Sequence, residues 1–137
     1  MADEIHEVVQ GDGYAVANVD ALAEGPGFRK VRRELGVTAF GINAIVMPPG
    51  VETGFHWHDE QDEVYFVHAG RLQITFGDGT TEELRAGTFA HVTAPVQRKI
   101  KNVGDTDAVY VIVGAKNGYV GRDGRAPEGT QRVQASG

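Results

Sequence analysis

Apolar residues in this chain come in short segments, and nearly every segment is closed by glycine or proline. Nineteen of the 137 residues are glycine. Val37 to Met47 is rich in Val, Ile and Phe and stops at Pro48-Pro49-Gly50. Glu63 to Ala69 reads as a strand, Gly70 turns the chain, and Arg71 to Phe76 continues. Gly77-Asp78-Gly79 carries the Asp-Gly hairpin signal, and Thr80 to Leu84 returns. Gly87 to Val92, Arg98 to Asn102 and Ala108 to Gly114 follow, with Val103 to Asp107 as a turn. Such segments, at a spacing of roughly 8–12 residues, predict an all-β sandwich or barrel. No long helical periodicity competes. Phe28 to Leu35 reads as an exposed strand or a short helix, and its basic residues Arg29, Lys30, Arg32 and Arg33 as a solvated face.

The length fits one domain with a core of its own, without disulfides or a structural metal. The expected division is an N-terminal arm over 1–27, a barrel over 28–115 and a surface extension over 116–137, with its last ten or so residues disordered. Candidate barrel lining is Tyr65, Val67, Leu72, Ile74, Phe76, Phe89, Ile100, Val111 and Val113. The chain has no cysteine, which removes thiolate ligands and cysteine nucleophiles. Its net charge of −6 argues against nucleic acid and anionic membranes as partners. Met1 to Gln10 is acidic with no apolar h-region, and no run approaches a membrane span, so a cytoplasmic protein is expected.

The chemistry concentrates between Gly50 and Gly70. His56 and His58 flank Trp57, and Glu63 follows five positions after His58. On a strand, side chains two residues apart share a face. Both imidazoles therefore point one way, and a turn over Asp59 to Asp62 brings Glu63 to meet them. Two neutral imidazoles and a carboxylate suit a divalent transition metal, in the manner of the facial triad of non-haem iron sites. Asp59, Glu60 and Asp62 read as a solvated acidic loop that strengthens the attraction of a cation. His68 falls on the opposite face from Glu63, and His91 reads as a polar residue at a strand edge.

These residues resemble the cupins, small jelly-roll barrels whose two motifs supply a metal site. The first motif is G, five residues, H-x-H, three or four residues, E, six residues, G. Gly50, His56, His58, Glu63 and Gly70 meet every spacing. In the second motif Gly87 and Asn102 hold the ends, but Thr93, Ala94 and Pro95 replace P-x-G. Arg98 stands where the family's fourth ligand, a histidine, is expected. The resemblance covers roughly Gly36 to Gly114 and implies a double-stranded β-helix, the jelly-roll barrel. It implies a divalent cofactor such as Fe, Mn, Zn or Ni at His56, His58 and Glu63, a small-molecule ligand and a homodimer. It does not imply an activity, because this fold hosts enzymes and binding proteins alike.

A guanidinium has no free lone pair and cannot ligate a metal. Three readings of Arg98 stay open. It holds an anionic ligand beside the metal, with Tyr65 also lining that pocket; it pairs with Glu63 and no metal binds; or it points out of the barrel. Two functions follow. One is metal-dependent oxidation or isomerisation of a small, anionic compound. The other is non-catalytic binding or sensing with a vacant metal site.

Overall fold

The computed structural model describes residues 7–128. The expectation of a disordered chain end falls largely on 129–137, outside the described residues. Two antiparallel sheets face each other. The larger has the order β3 (Gly27–Arg29), β4 (Gly41–Met47), β11 (Ala108–Ala115), β6 (Asp62–Ala69) and β9 (Phe89–Val92). The smaller has the order β10 (Arg98–Asn102), β7 (Arg71–Phe76) and β8 (Thr81–Arg85). The run before β6 extends the smaller sheet, because Glu52 bridges to Lys101 and His56 to Arg98. Two short pairs complete the strands: β1 (Val9–Gly11) with β2 (Tyr14–Val16), and β5 (Trp57–His58) with β12 (Gly124–Arg125). This is the all-β barrel that the punctuated sequence predicts, in the jelly-roll form that the resemblance implies.

The core fills the space between the inner faces. In β6, Glu63, Tyr65 and Val67 are buried while Asp62, Val64 and His68 are exposed. In β10, Arg98, Ile100 and Asn102 are buried and Lys101 is exposed. The period of two thus fixes which side chains enter the barrel. Between β7 and β8 the expected hairpin forms, with Gly79 at φ 92° and the Asp78 carboxylate accepting from Thr80 N–H at 2.9 Å.

Several expectations are corrected. Phe89 is 68% exposed, because its register partner is Phe66 on the outer face of β6. The two rings pack with centroids 4.5 Å apart. In β11 the buried set is Ala108, Tyr110 and Ile112, so Val111 and Val113 face outward. Val111 instead lines an outer cavity of about 340 Å³ with Leu22, Val31 and Phe66. Both faces of β11 are apolar because both are covered, so alternation alone cannot select the inner one. Phe28 to Leu35 is neither one strand nor one helix. Strand β3 gives way to α1 (Val31–Leu35), which Gly36 ends in the left-handed region at φ 73°. Arg29 is not solvated; it lies buried opposite Ala44 and donates to the Gly25 carbonyl at 2.7 Å.

Asn102, at the end of β10, ties the two sheets together. Its Nδ2 donates to the Met47 and Thr106 carbonyls, both at 2.8 Å, and its Oδ1 accepts from Gly104 N–H at 2.8 Å. Asn102→Ala should lower the stability measured by urea unfolding by about 2–4 kcal/mol, because each orphaned buried partner costs about 1–3 kcal/mol. A loss below about 1 kcal/mol would show that water replaces all three bonds.

Candidate functional site

Three local patterns deliver the site residues to one place. Alternation in β6 sends Glu63 and Tyr65 inward. Alternation in β10 does the same for Arg98, which is fully buried. His56 lies directly across from Arg98, with reciprocal backbone bonds of 3.0 Å in both directions, so the two side chains share a face. His58, two residues on, follows. One donor atom from each of His56, His58 and Glu63 falls within 4.8 Å of the others, a group that could hold a metal ion. The imidazole rings stand edge to face, with centroids 5.3 Å apart.

The carboxylate of Glu63 has an unequal division of labour. Its Oε1 accepts from the Tyr65 hydroxyl at 2.7 Å and from Arg98 Nη2 at 3.2 Å. Its Oε2 lies 3.2 Å from His58 Nε2, and His56 Nε2 lies 3.9 Å from Oε1. Both Nε2 atoms are buried, and neither completes a hydrogen bond. The other nitrogen of His58, Nδ1, is 2.8 Å from Asp123 Oδ1. A carboxylate there accepts a hydrogen bond from Nδ1–H, which in the neutral ring leaves Nε2 as a bare lone pair directed at a second carboxylate. Two lone pairs 3.2 Å apart in a buried site need a cation or a proton between them. The donor set therefore fits a divalent metal ion, with imidazole and carboxylate ligands and a carboxylate behind one imidazole.

Charge shifts follow from these contacts. Burial alone would raise the Glu63 pKa, but His56, His58 and the Arg98 guanidinium overcome it and hold the carboxyl far below its usual range. Burial would lower His58, yet the adjacent carboxylates of Glu63 and Asp123 push it up. Burial, then the Glu63 charge, push the Tyr65 and Tyr110 hydroxyls up. Both phenols stay neutral, and Tyr65 donates to Glu63. Asp123 resists its own burial through Gln61, the Glu60 N–H and His58, and is pulled down to about 2.

Arg98 does not point out of the barrel, which closes one of its three readings. Its Nε donates to the Tyr65 hydroxyl at 3.2 Å, and its Nη1 to the carbonyls of Ala94 at 3.2 Å and Val96 at 2.5 Å. Its Nη2 serves Glu63. All three nitrogens are thus engaged by the protein. His68 is exposed on the outer face, and His91 is exposed near Asp62 at 3.7 Å, so neither joins the group.

The sequence reading missed Asp123 and Gln61. Asp123 comes from the extension after β11, where strand β12 pairs with β5. Its carboxylate also accepts from Gln61 Nε2 at 2.6 Å and from the Glu60 and Gln61 N–H groups at 2.7 and 3.0 Å. No periodic signal marks it in a tail rich in Gly and Arg.

Residues 44–114, just over half of the chain, match the family model described as the cupin domain. Polyketide synthase CurC of Streptomyces cyaneus is 31% identical over 77 residues, which are 56% of this chain and 49% of that protein. The chain therefore spans about half the length of this curated relative. A sugar phosphate isomerase from a cupin superfamily of Silicibacter pomeroyi is 25% identical with a TM-score of 0.61, over 82% of this chain and 71% of that one. A cupin protein from Bacteroides fragilis gives a TM-score of 0.62 at 22% identity, over 77% and 86% of the two chains. A predicted oxalate decarboxylase from Thermotoga maritima gives 0.52 at 24% identity, over 55% of this chain and 64% of that one.

The pKa directions set the acid stability of the metal-free protein. Asp123 is depressed from 3.8 to about 2, so its contribution is present above pH 4 and is lost as pH falls from about 4 to about 2. Glu63 is depressed further and acts in the same sense, from the usual carboxylate range through this window and below it. His58 is raised, so its contribution is present below about pH 6.5 and fades as pH rises through its folded value. Urea midpoints measured with chelator should fall between pH 4 and 2, and Asp123→Asn should flatten that fall. Parallel curves for the two proteins would show that Asp123 carries no stability through its charge.

Proposed function

The chain belongs to the cupin family, and on that premise we propose that it binds one divalent metal ion at His56, His58 and Glu63 and uses it on a small molecule in the barrel. One observation carries this reading: two buried Nε2 atoms without hydrogen bonds converge beside a carboxylate. Leaving such groups orphaned costs about 1–3 kcal/mol each, and a cation removes that cost. When bound, the ion supplies Lewis-acid polarisation of a substrate oxygen, and Fe, Mn, Zn and Ni are all compatible with such ligands.

The protein's own groups divide the remaining work. Tyr65 and Arg98 occupy Glu63 Oε1, which leaves Oε2 facing His58. The role of Arg98 best supported by its contacts is to hold Glu63, since gripping an anionic ligand requires it to release bonds it already makes. An opening of about 280 Å³, lined mainly by apolar groups including Ile45, Met47, Val51 and Tyr110, reaches the inner face of the larger sheet. Ligand pockets run from about 300 to 1,000 Å³, so this one suits a small, largely apolar compound. The rings of Tyr110 and Tyr65 lie 6.4 Å apart, and Tyr65 touches Glu63, so two phenols link the opening to the metal group. Isomerisation or oxidation of such a compound is the reaction class. Among the described residues no helix is long and apolar enough to cross a membrane.

A second reading, a non-catalytic binding module with a vacant metal site, has its own support. The Arg98 guanidinium 3.2 Å from Glu63 is a built-in cation, and it repels an incoming one.

Calorimetric titration of Mn, Zn and Ni into untagged, metal-stripped protein separates the two. The metal reading expects one ion per chain, no binding after joint His56→Ala and His58→Ala replacement, and equal or tighter binding in Arg98→Ala. The vacant-site reading expects no ion in the wild type. It also expects Arg98→Ala to cost about 3–5 kcal/mol, because Glu63 is left buried without its cation. A wild type that takes up no ion ends the metal reading.

A further inference from the structure

The segment after β11 doubles back across the barrel, and one of its residues touches the candidate metal group. Asp123 accepts from His58 Nδ1 at 2.8 Å and is only 10% exposed at its side chain. Three successive backbone N–H groups also end on this residue. Asp59 donates to its carbonyl at 3.2 Å, and Glu60 and Gln61 donate to Oδ2 at 2.7 and 3.0 Å. Strand β12 then pairs Gly124 with His58 and Arg125 with Trp57. On the surface, Arg125 clamps the Asp59 carboxylate through Nε and Nη2 at 2.9 and 2.7 Å.

We infer that residues 122–125 form a strap whose docking and metal binding stabilise each other, with Asp123 as the positioning residue between them. The inference rests on the metal reading above. The physical link is a single hydrogen bond. With the strap docked, Asp123 fixes the proton of His58 on Nδ1, orients the ring and keeps the Nε2 lone pair toward the metal position. With the strap open, the proton can sit on either nitrogen and the ring loses its support. A metal ion ligated through Nε2 favours the Nδ1–H form, and that form is the one Asp123 grips. Linkage requires that each event strengthen the other by the same factor. A purely structural clasp would need the backbone bonds and the Arg125–Asp59 pair but not the contact to an imidazole. The structure spends its one nearly buried strap carboxylate on that imidazole.

Co2+ is the probe, titrated into untagged protein, with amide exchange of Asp59, Glu60 and Gln61 followed with and without the ion. Asp123→Asn should weaken Co2+ binding by about 10–100-fold, the usual loss for a carboxylate behind a ligating histidine. In the wild type, Co2+ should slow exchange at these three amides by a similar factor. Glu83→Gln also removes one carboxylate charge, but from an exposed pair with Arg71 outside the strap, and it should bind Co2+ within about threefold of wild type, because exposed charges are screened. If Asp123→Asn does not fold, Arg125→Ala carries the test. It loosens the strap at the surface, so it should speed exchange at these amides, and Co2+ should still slow that exchange by the factor seen in the wild type. Wild-type binding together with unchanged affinity in Asp123→Asn, or an equal loss in Glu83→Gln, overturns the strap proposal alone. Exchange that ignores Co2+ in the wild type also overturns it. A wild type that binds no Co2+ sinks this proposal together with the metal reading.

Discussion

A single buried carboxylate organises this molecule. Glu63 is 2% exposed, and an ionised carboxyl at that depth costs several kcal/mol unless it is matched. Its match is assembled from distant segments. Tyr65 comes from the same strand, His56 and His58 from the run before it, and Arg98 from the opposite sheet. The charge is therefore satisfied only when the two sheets have closed on each other. Strand β10 must sit in register for Arg98 to arrive, and the bridge between His56 and Arg98 fixes that register. Barrel closure and site assembly are one event.

The same dependence explains what could be read from the sequence. His56, His58 and Glu63 lie within eight positions, so strand geometry and one turn suffice to bring them together. The hairpin at Gly77-Asp78-Gly79 and the inner face of β6 were equally legible, because strand alternation from Glu63 puts Tyr65 and Val67 beside it and His68 opposite. Legibility failed where both faces are covered. Val111 and Val113 looked like lining because β11 is apolar throughout, and only its neighbours show that Tyr110 and Ile112 face the interior. Phe89 failed for the opposite reason, since an aromatic residue on an exposed outer face carries the same local pattern as one inside. Asp123 was out of reach: it stands 65 positions from His58, and nothing local tells a bonded aspartate from a solvated one. Arg98 was half legible. Its departure from the family motif was plain, but its partners depend on the fold.

Replacing a fourth ligand by arginine changes the electrostatics of the site more than its shape. With histidine at that position, Glu63 would rely on the metal for its counter-charge. With Arg98, the pair Glu63–Arg98 is neutral before any metal arrives, and Tyr65 completes the bonds of Oε1. The group is thus charge-matched by the protein's own residues, beside a cluster of twelve buried apolar residues.

That stability has a consequence for selectivity. A divalent ion entering beside Arg98 meets one carboxylate already shared with a cation, so Glu63 contributes less attraction than a free carboxylate would. The two imidazoles then carry a larger part of the binding. Their preparation matters correspondingly more, and Asp123 prepares the more buried of the two. Imidazole-dominated sites favour ions late in the first transition row over Mg2+ or Ca2+, which take oxygen ligands. In this chain the arginine that weakens the carboxylate and the aspartate that steadies the imidazole act in the same direction. If the group takes a metal as proposed, both would move its preference from hard cations toward nitrogen-binding ones.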